Sequence, residues 1–326
     1  MTEAAGIPEV GASLEGVVRI VDERARRSID PAARLTRLTE GSIWAEGPVY
    51  LPDQAAVMFS DIPNDRALLW SEATGGVEWR KPNDFTNGNT LDHQGRIVHC
   101  EHGNRRIART ELDGTRHGLV DRYDGKPLNS PNDIVVKSDG SIWFSDPPYG
   151  ILSDYEGHQA PQEQEGCYVF RFDPFSGELA VVSDALDHPN GLAFSPDEDR
   201  LYVSDTSLAP KPDGNHHILV FDVVGGRKLA DPRILMVMEP GLPDGLRVDE
   251  QGDIWSSAGD GIHLLDPEGN ELARILVPEK TSNCAFGGPD GRKLFITASS
   301  SLYVIDVKVR GAGVAAAVAR GERPPT

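Results

Sequence analysis

The chain has 326 residues, with 51 Asp and Glu against 32 Lys and Arg, a formal net charge of −19. Such an acidic balance repels phosphate backbones and anionic headgroups, so neither a nucleic acid nor a membrane is expected as partner. With 39% hydrophobic residues the chain can build a large core and is not disordered.

From the N-terminus, Leu14, Val17, Val18, Val21 and Ala25 follow helical spacing and predict a short amphipathic helix in a 1–33 extension. The run Leu14 to Val21 contains Glu15 and Arg19, and no apolar stretch approaches a membrane span, so no signal peptide is visible. Cys100, Cys167 and Cys284 are odd in number and form no CxxC pair, which favours a reducing compartment. A cytoplasmic protein is expected. The sequence carries no signal of oligomeric state.

One pattern then recurs six times: a turn rich in Asp and Gly, a short apolar run, and a small or acidic stop. The copies are LPDQAAVMFSD (51–61), DHQGRIVHCEH (92–102), SDGSIWFSD (138–146), SPDEDRLYVSD (195–205), DEQGDIWSSAG (249–259) and PDGRKLFITAS (289–299). Short β-branched and aromatic runs bounded by Gly, Pro and Asp read as strands. Most copies are followed by a second apolar run, such as CYVFRFD (167–173) or SLYVIDV (301–307). Repeated strand pairs at this spacing are the rhythm of an all-β, six-bladed β-propeller, here one domain over 34–310. An ordinary β-sandwich has no reason to repeat the pattern six times. The stretch LSDYEGHQAPQEQEG (152–166) is polar with no strand pattern and reads as an exposed excursion, a candidate lid. The tail from 311, ending RGERPPT, is expected to fray.

A polar residue precedes the apolar run of each copy by 10 to 12 positions: Glu46, Asn87, Asn132, Asn190, Asp244 and Asn283. Asn or Asp before Gly is ordinary turn chemistry at any single site. Six carboxamides or carboxylates at one phase instead suggest side chains converging from the innermost strands on a central channel. Two carboxylates among carboxamide oxygens suit a hard divalent cation such as Ca²⁺, Mg²⁺ or Mn²⁺. Zinc prefers His or Cys, which these positions lack.

At these residues the sequence resembles the SMP-30/gluconolactonase/LRE family, six-bladed propeller lactone hydrolases. The resemblance rests on AEGPVY (45–50), SPNDIVVKSDGSIWFSDPPYG (130–150), HPNGLAFSPDEDRLYVSD (188–205), LPDGLRVDEQGDIW (242–255) and TSNCAFGG (281–288), in order along the chain. The SDPPYG form is closer to the bacterial gluconolactonase branch than to the regucalcin branch. By position, the resemblance implies Glu46, Asn132, Asn190 and Asp244 as ligands of one divalent cation, with Ca²⁺ first and Mg²⁺, Mn²⁺ or Zn²⁺ as alternatives. Asn87 would face the substrate. Where the regucalcin branch has an arginine that contacts the sugar, this chain has Ser130, so sugar contacts must come from elsewhere.

The implied chemistry is hydrolysis of a small-molecule lactone, such as glucono-1,5-lactone, to the aldonic acid. Asp244, a carboxylate beside the cation, is the expected general base. His102 and Tyr149 are candidate substrate contacts, each weighed against an ordinary loop histidine and core packing. No GxSxG elbow, Walker A, HExxH or Rossmann fingerprint occurs. The rival enzymatic reading is a metal-dependent hydrolase of a non-sugar lactone or a phosphotriester. The rival outside enzymes is a non-catalytic binding scaffold, which has no need of the Glu46 and Asp244 acids.

Overall fold

Each repeated segment supplies the second strand of a four-stranded antiparallel sheet, and six such sheets stand radially as blades around one axis. The computed structural model describes residues 6–322. Blade 1 runs outward through Ala45–Leu51, Ala56–Asp61, Arg66–Ser71 and Gly75–Arg80, and blade 2 through Thr86–Leu91, Ile97–Glu101, Arg106–Thr110 and Arg116–Val120. Blade 3 starts at Ile134–Val136, blade 4 at Pro189–Phe194 and blade 5 at Leu246–Val248. Blade 6 takes three strands from the end of the repeat, Thr281–Gly287, Lys293–Ala298 and Ser301–Asp306. Its fourth, Leu35–Arg37, comes from the start of the chain. Joining the two ends of the chain in one sheet closes the ring.

The blades pack face to face through their apolar side chains. Trp143, Leu192, Leu201, Val203 and Phe221 form one such layer, all essentially inaccessible to solvent. Another contains Trp255, whose ring meets Phe286 edge-on at 5.7 Å. Each such side chain contributes about 1.5–3 kcal/mol when fully buried.

Among the described residues the extension at the N-terminus is helical only over Glu23–Arg27, a short 3-10 turn capped by Asp22, whose carboxylate accepts from the Arg24 amide. The apolar residues ahead of it pair as strands instead: Ser13–Leu14 adds to blade 6, and Val18–Ile20 lies on Glu271–Leu276 of blade 5. Outer blade edges offer unpaired backbone groups that a strand satisfies and a helix cannot. Val21, which helical spacing would bury, is 57% exposed.

At the other end of the chain, the alanine-rich Val314–Ala319 is a helix, as its composition favours. It packs on the inner strands of blades 1, 2 and 6 and covers the end of the channel towards Tyr50, Thr90 and Phe286. Of the tail expected to fray, residues 323–326 lie outside the described residues. Among the described residues no helix is long and apolar enough to cross a membrane.

Candidate active site

The acidic stop of the repeat orders the loop that leads into the innermost strand. Asp61 accepts the Ile43 amide at 2.9 Å, and Asp146 accepts that of Asn129 at 2.8 Å. Asp205 accepts the amides of Asp187 at 2.8 Å and His188 at 3.2 Å. These bonds set the approach to Glu46, Asn132 and Asn190 respectively. The serine before the acid straps neighbouring blades: Ser60 Oγ donates to the Asn87 carbonyl at 2.8 Å, and Ser204 Oγ to that of Asp244 at 2.6 Å.

Glycine follows the polar residue because the inner strands crowd one another at the axis. A Cβ on Gly47, which has φ +55°, would lie 2.1 Å from the Asn87 carbonyl oxygen. One on Gly245 would lie 1.9 Å from Cγ of Asn283. The first cannot be made without moving the backbone of the neighbouring strand, nor the second without displacing the Asn283 side chain or its strand.

Glu46, Asn87, Asn132, Asn190 and Asp244 line one cavity of about 300 Å³ at the mouth of the channel. Asn283 does not line it. Its amide is buried beneath, donating from Nδ2 to Glu46 Oε2 at 3.0 Å and reaching Asp133 Oδ2 at 3.5 Å. Asp133 is paired with Arg247 at 3.1 Å, which completes a polar layer under the cavity floor.

The electrostatics of the floor are those of crowded acids. Burial, then repulsion from Asp244 and Asp133, holds the Glu46 carboxyl well above the usual carboxylate range. Burial pushes Asp244 up to about 7; Lys280 opposes this, while Glu156 and Asp133 add to it. Two acids and two amides, all hard oxygen donors, surround the same space; Lys280 shares it, but among the described residues neither acid is in a salt bridge. That donor set fits a divalent ion of the Ca²⁺ class, which Glu46, Asn132, Asn190 and Asp244 could hold.

The remaining expected contacts divide. Tyr149 lines the cavity, with its hydroxyl donating to the Thr206 carbonyl at 3.2 Å and its ring 5.7 Å from that of His188. His102 does not line the cavity. It is buried behind the wall, where its Nδ1 is 2.9 Å from the main-chain oxygen of Glu156. Ser130 is structural: its hydroxyl donates to the Pro147 carbonyl at 2.6 Å and accepts from the Gly150 amide at 2.9 Å. An arginine could not fill that small buried position.

Seven further residues enter the wall without having been singled out in the sequence, among them Trp44, Tyr155, Glu156 and Lys280. Tyr155 and Glu156 come from the excursion, which folds back over the mouth. Lys280, three residues before Asn283, places its ammonium 5.2 Å from the centre of the Trp44 ring. The phase of the repeat could have flagged Trp44, two residues before Glu46. The excursion has no phase, so its side chains could not be assigned.

Residues 44–300 match the family described as the SMP-30/Gluconolactonase/LRE-like region. The chain belongs to this family. Among its members, a gluconolactonase of Zymomonas mobilis subsp. mobilis is 32% identical, the match covering 82% of this chain and 80% of that protein. A pentonolactonase of Haloferax volcanii is 29% identical over 83% of this chain and 84% of its own length. The solved structure of a gluconolactonase from Xanthomonas campestris is 39% identical, with a TM-score of 0.84, over 93% of this chain and 99% of that one.

Proposed function

We propose that this member of the family is a lactonase that opens a sugar lactone of the glucono-1,5-lactone type to its aldonic acid, with residues 34–310 as the catalytic unit. The observation that carries the reading is the convergence of Glu46, Asn87, Asn132, Asn190 and Asp244 in one cavity. A propeller serving only as a scaffold has no use for two repelling acids buried at its axis, since their desolvation is costly.

Glu46, Asn132, Asn190 and Asp244 would hold one divalent cation, Ca²⁺ by donor chemistry. When bound, such an ion supplies positive charge that polarises a lactone carbonyl and stabilises the oxyanion that develops there. The residues of the chain do the rest. Asp244 takes a proton from the attacking water, a role worth ~10²–10⁴-fold in rate. Glu46 is a structural ligand, held by Asn283. Asn87, Tyr149 and Glu156 face the substrate hydroxyls, and Trp44 and Tyr155 wall the mouth.

The test is a pH-stat assay of a small lactone panel with the purified protein, before and after chelation and with each divalent ion restored. Ring opening above the spontaneous rate, lost on chelation and regained with Ca²⁺, is expected. No acceleration for any lactone would end the reading, and activity indifferent to chelator would end its cation requirement.

A further inference from the structure

His102 lies behind the wall, and the excursion rests on it. Its ring is 1% exposed and sits directly under Gly150, where a Cβ would come within 2.5 Å of the His102 side chain. Gly150 is in turn pressed against Gly157, whose Cβ would lie 2.2 Å from the Gly150 carbonyl oxygen. Two glycines thus let the turn at 149–152 and the returning excursion close down on one imidazole.

Among the described residues that imidazole makes one side-chain hydrogen bond, between Nδ1 and the Glu156 main-chain oxygen, at 2.9 Å. A carbonyl oxygen can only accept, so Nδ1 carries the proton. In the neutral ring Nε2 is then a bare acceptor, and it is the buried atom that has no partner. Protonation would bury an unpaired N–H and a charge, and burial accordingly lowers the ring to about 4. The ring therefore stays neutral near pH 7, and the bond it donates does not titrate there.

The residue held at its main chain is the one whose side chain enters the cavity. Among the described residues the Glu156 carboxylate has no hydrogen-bond donor of its own, and burial pushes it up to about 7. A partly buried acid without a hydrogen-bond donor costs stability unless a ligand uses it, and the Lys280 charge offsets only part of that cost. The rest of the excursion is anchored elsewhere: His158 meets the Phe85 ring edge-on at 5.2 Å, and Gln164 donates to the carbonyls of Tyr123, Lys126 and Pro127.

We propose that His102 is a positioning residue for substrate binding: by donating to the Glu156 carbonyl it fixes the excursion as a rigid wall and aims the Glu156 side chain at the hydroxyls of the lactone. This rests on the lactonase reading for its substrate, but not for the coupling of His102 to the wall. The bond is present before substrate arrives, and Glu156 contacts parts of the substrate remote from the ester. Its loss should therefore weaken ground-state and transition-state binding alike, raising KM with little change in kcat.

The test compares His102→Ala, His102→Asn and His102→Gln. The Asn amide nitrogen falls near imidazole Nδ1 and can replace the donor, whereas that of Gln falls near Nε2 and cannot. KM for glucono-1,5-lactone should rise about tenfold in the Ala and Gln variants, the loss of one well-placed hydrogen bond, with kcat within about twofold. His102→Asn should recover most of the difference. δ-Valerolactone, which has no hydroxyls for Glu156, should show no change in KM. Hydrogen exchange at residues 153–160 should quicken in the Ala and Gln variants and not in Asn.

Unchanged KM and exchange in all three variants would overturn the proposal, as would Asn behaving like Gln. So would a fall in kcat shared by both lactones. If His102→Ala does not fold, the Asn and Gln pair decides. If the wild type opens neither lactone, the lactonase reading has failed instead, and the exchange rates alone settle whether His102 holds the wall.

Discussion

Asn283 on blade 6 donates its side-chain amide to Glu46 on the neighbouring blade 1, Nδ2 to Oε2 at 3.0 Å. The same amide reaches Asp133 on blade 3 at 3.5 Å, so one carboxamide stands between two acids. Its oxygen is occupied by the Cys284 amide at 2.9 Å, which fixes which way the amide faces. The polar residue of the sixth repeat is thus a support for the carboxylate of the first.

Asn283→Asp should therefore be more harmful than its size suggests. It removes the donor and sets a third carboxylate beside Asp133 and Glu46, which burial and then repulsion from Asp244 and Asp133 already raise. The variant should melt at lower temperature without cation and recover part of the loss in excess Ca²⁺. Differential scanning calorimetry with and without Ca²⁺ checks this. An unchanged melting temperature would mean that the amide does not support Glu46.

Gly245→Ala places a methyl 1.9 Å from Cγ of the same Asn283. Either the amide or an inner strand must move, an overpacking that typically costs ~1–3 kcal/mol. Urea denaturation should show that loss. Calorimetric titration should show weaker cation binding too, because the displaced amide is the one that holds Glu46.

These two positions show how far the repeat could be read. Phase alone placed Glu46, Asn87, Asn132, Asn190 and Asp244 in one cavity, because a blade's inner strand has only one axis to face. It could not show that Asn283 sits a level deeper, since depth along the channel depends on a register of single residues. Nor could it separate His102 from the cavity, because the intervening wall is built by the excursion. That segment has no strand period, and its path is fixed by contacts such as Phe85 with His158 that are distant in sequence. At the N-terminus, helical spacing at Leu14, Val17 and Val18 lost to the pairing offered by the edges of blades 5 and 6.

One acidic stop, Asp205, carries a pH signature. Burial alone would raise Asp205, but hydrogen bonds from Asp187, Asn215 and Ser207 hold it below its ordinary value. A carboxylate lowered on folding contributes stability above its unfolded pKa of about 3.9, and loses it as pH falls through the folded value. Asp205→Asn should therefore be less stable than wild type at pH 7, by ~1–3 kcal/mol for buried donors left unsatisfied. The gap should narrow on acidification below about pH 4. Denaturation series at pH 7 and pH 3.5 check both the size and the sign; a gap that widens in acid would reverse the assignment.

The last prediction separates the two roles proposed for Asp244. As ligand and base together, it should be worse to lose than Asn132, whose amide can only coordinate. Asp244→Asn keeps an oxygen donor in the same place but cannot accept a proton near neutral pH. Excess cation should then restore occupancy of the site, while kcat stays at least ~10²-fold down, the lower end of a general base's contribution. Asn132→Ala should behave in the opposite way, binding cation weakly but regaining much of its turnover at saturation. The backbone of Asp244 should not confuse the comparison. Its amide donates to Ser257 Oγ at 2.8 Å and its carbonyl accepts from Ser204 at 2.6 Å, and neither bond involves the side chain that is changed. Both variants must be assayed with spontaneous ring opening subtracted, since sugar lactones hydrolyse unaided. If saturating cation returns Asp244→Asn to near wild-type turnover, Asp244 is a ligand only. The proton must then pass to another group on the cavity wall.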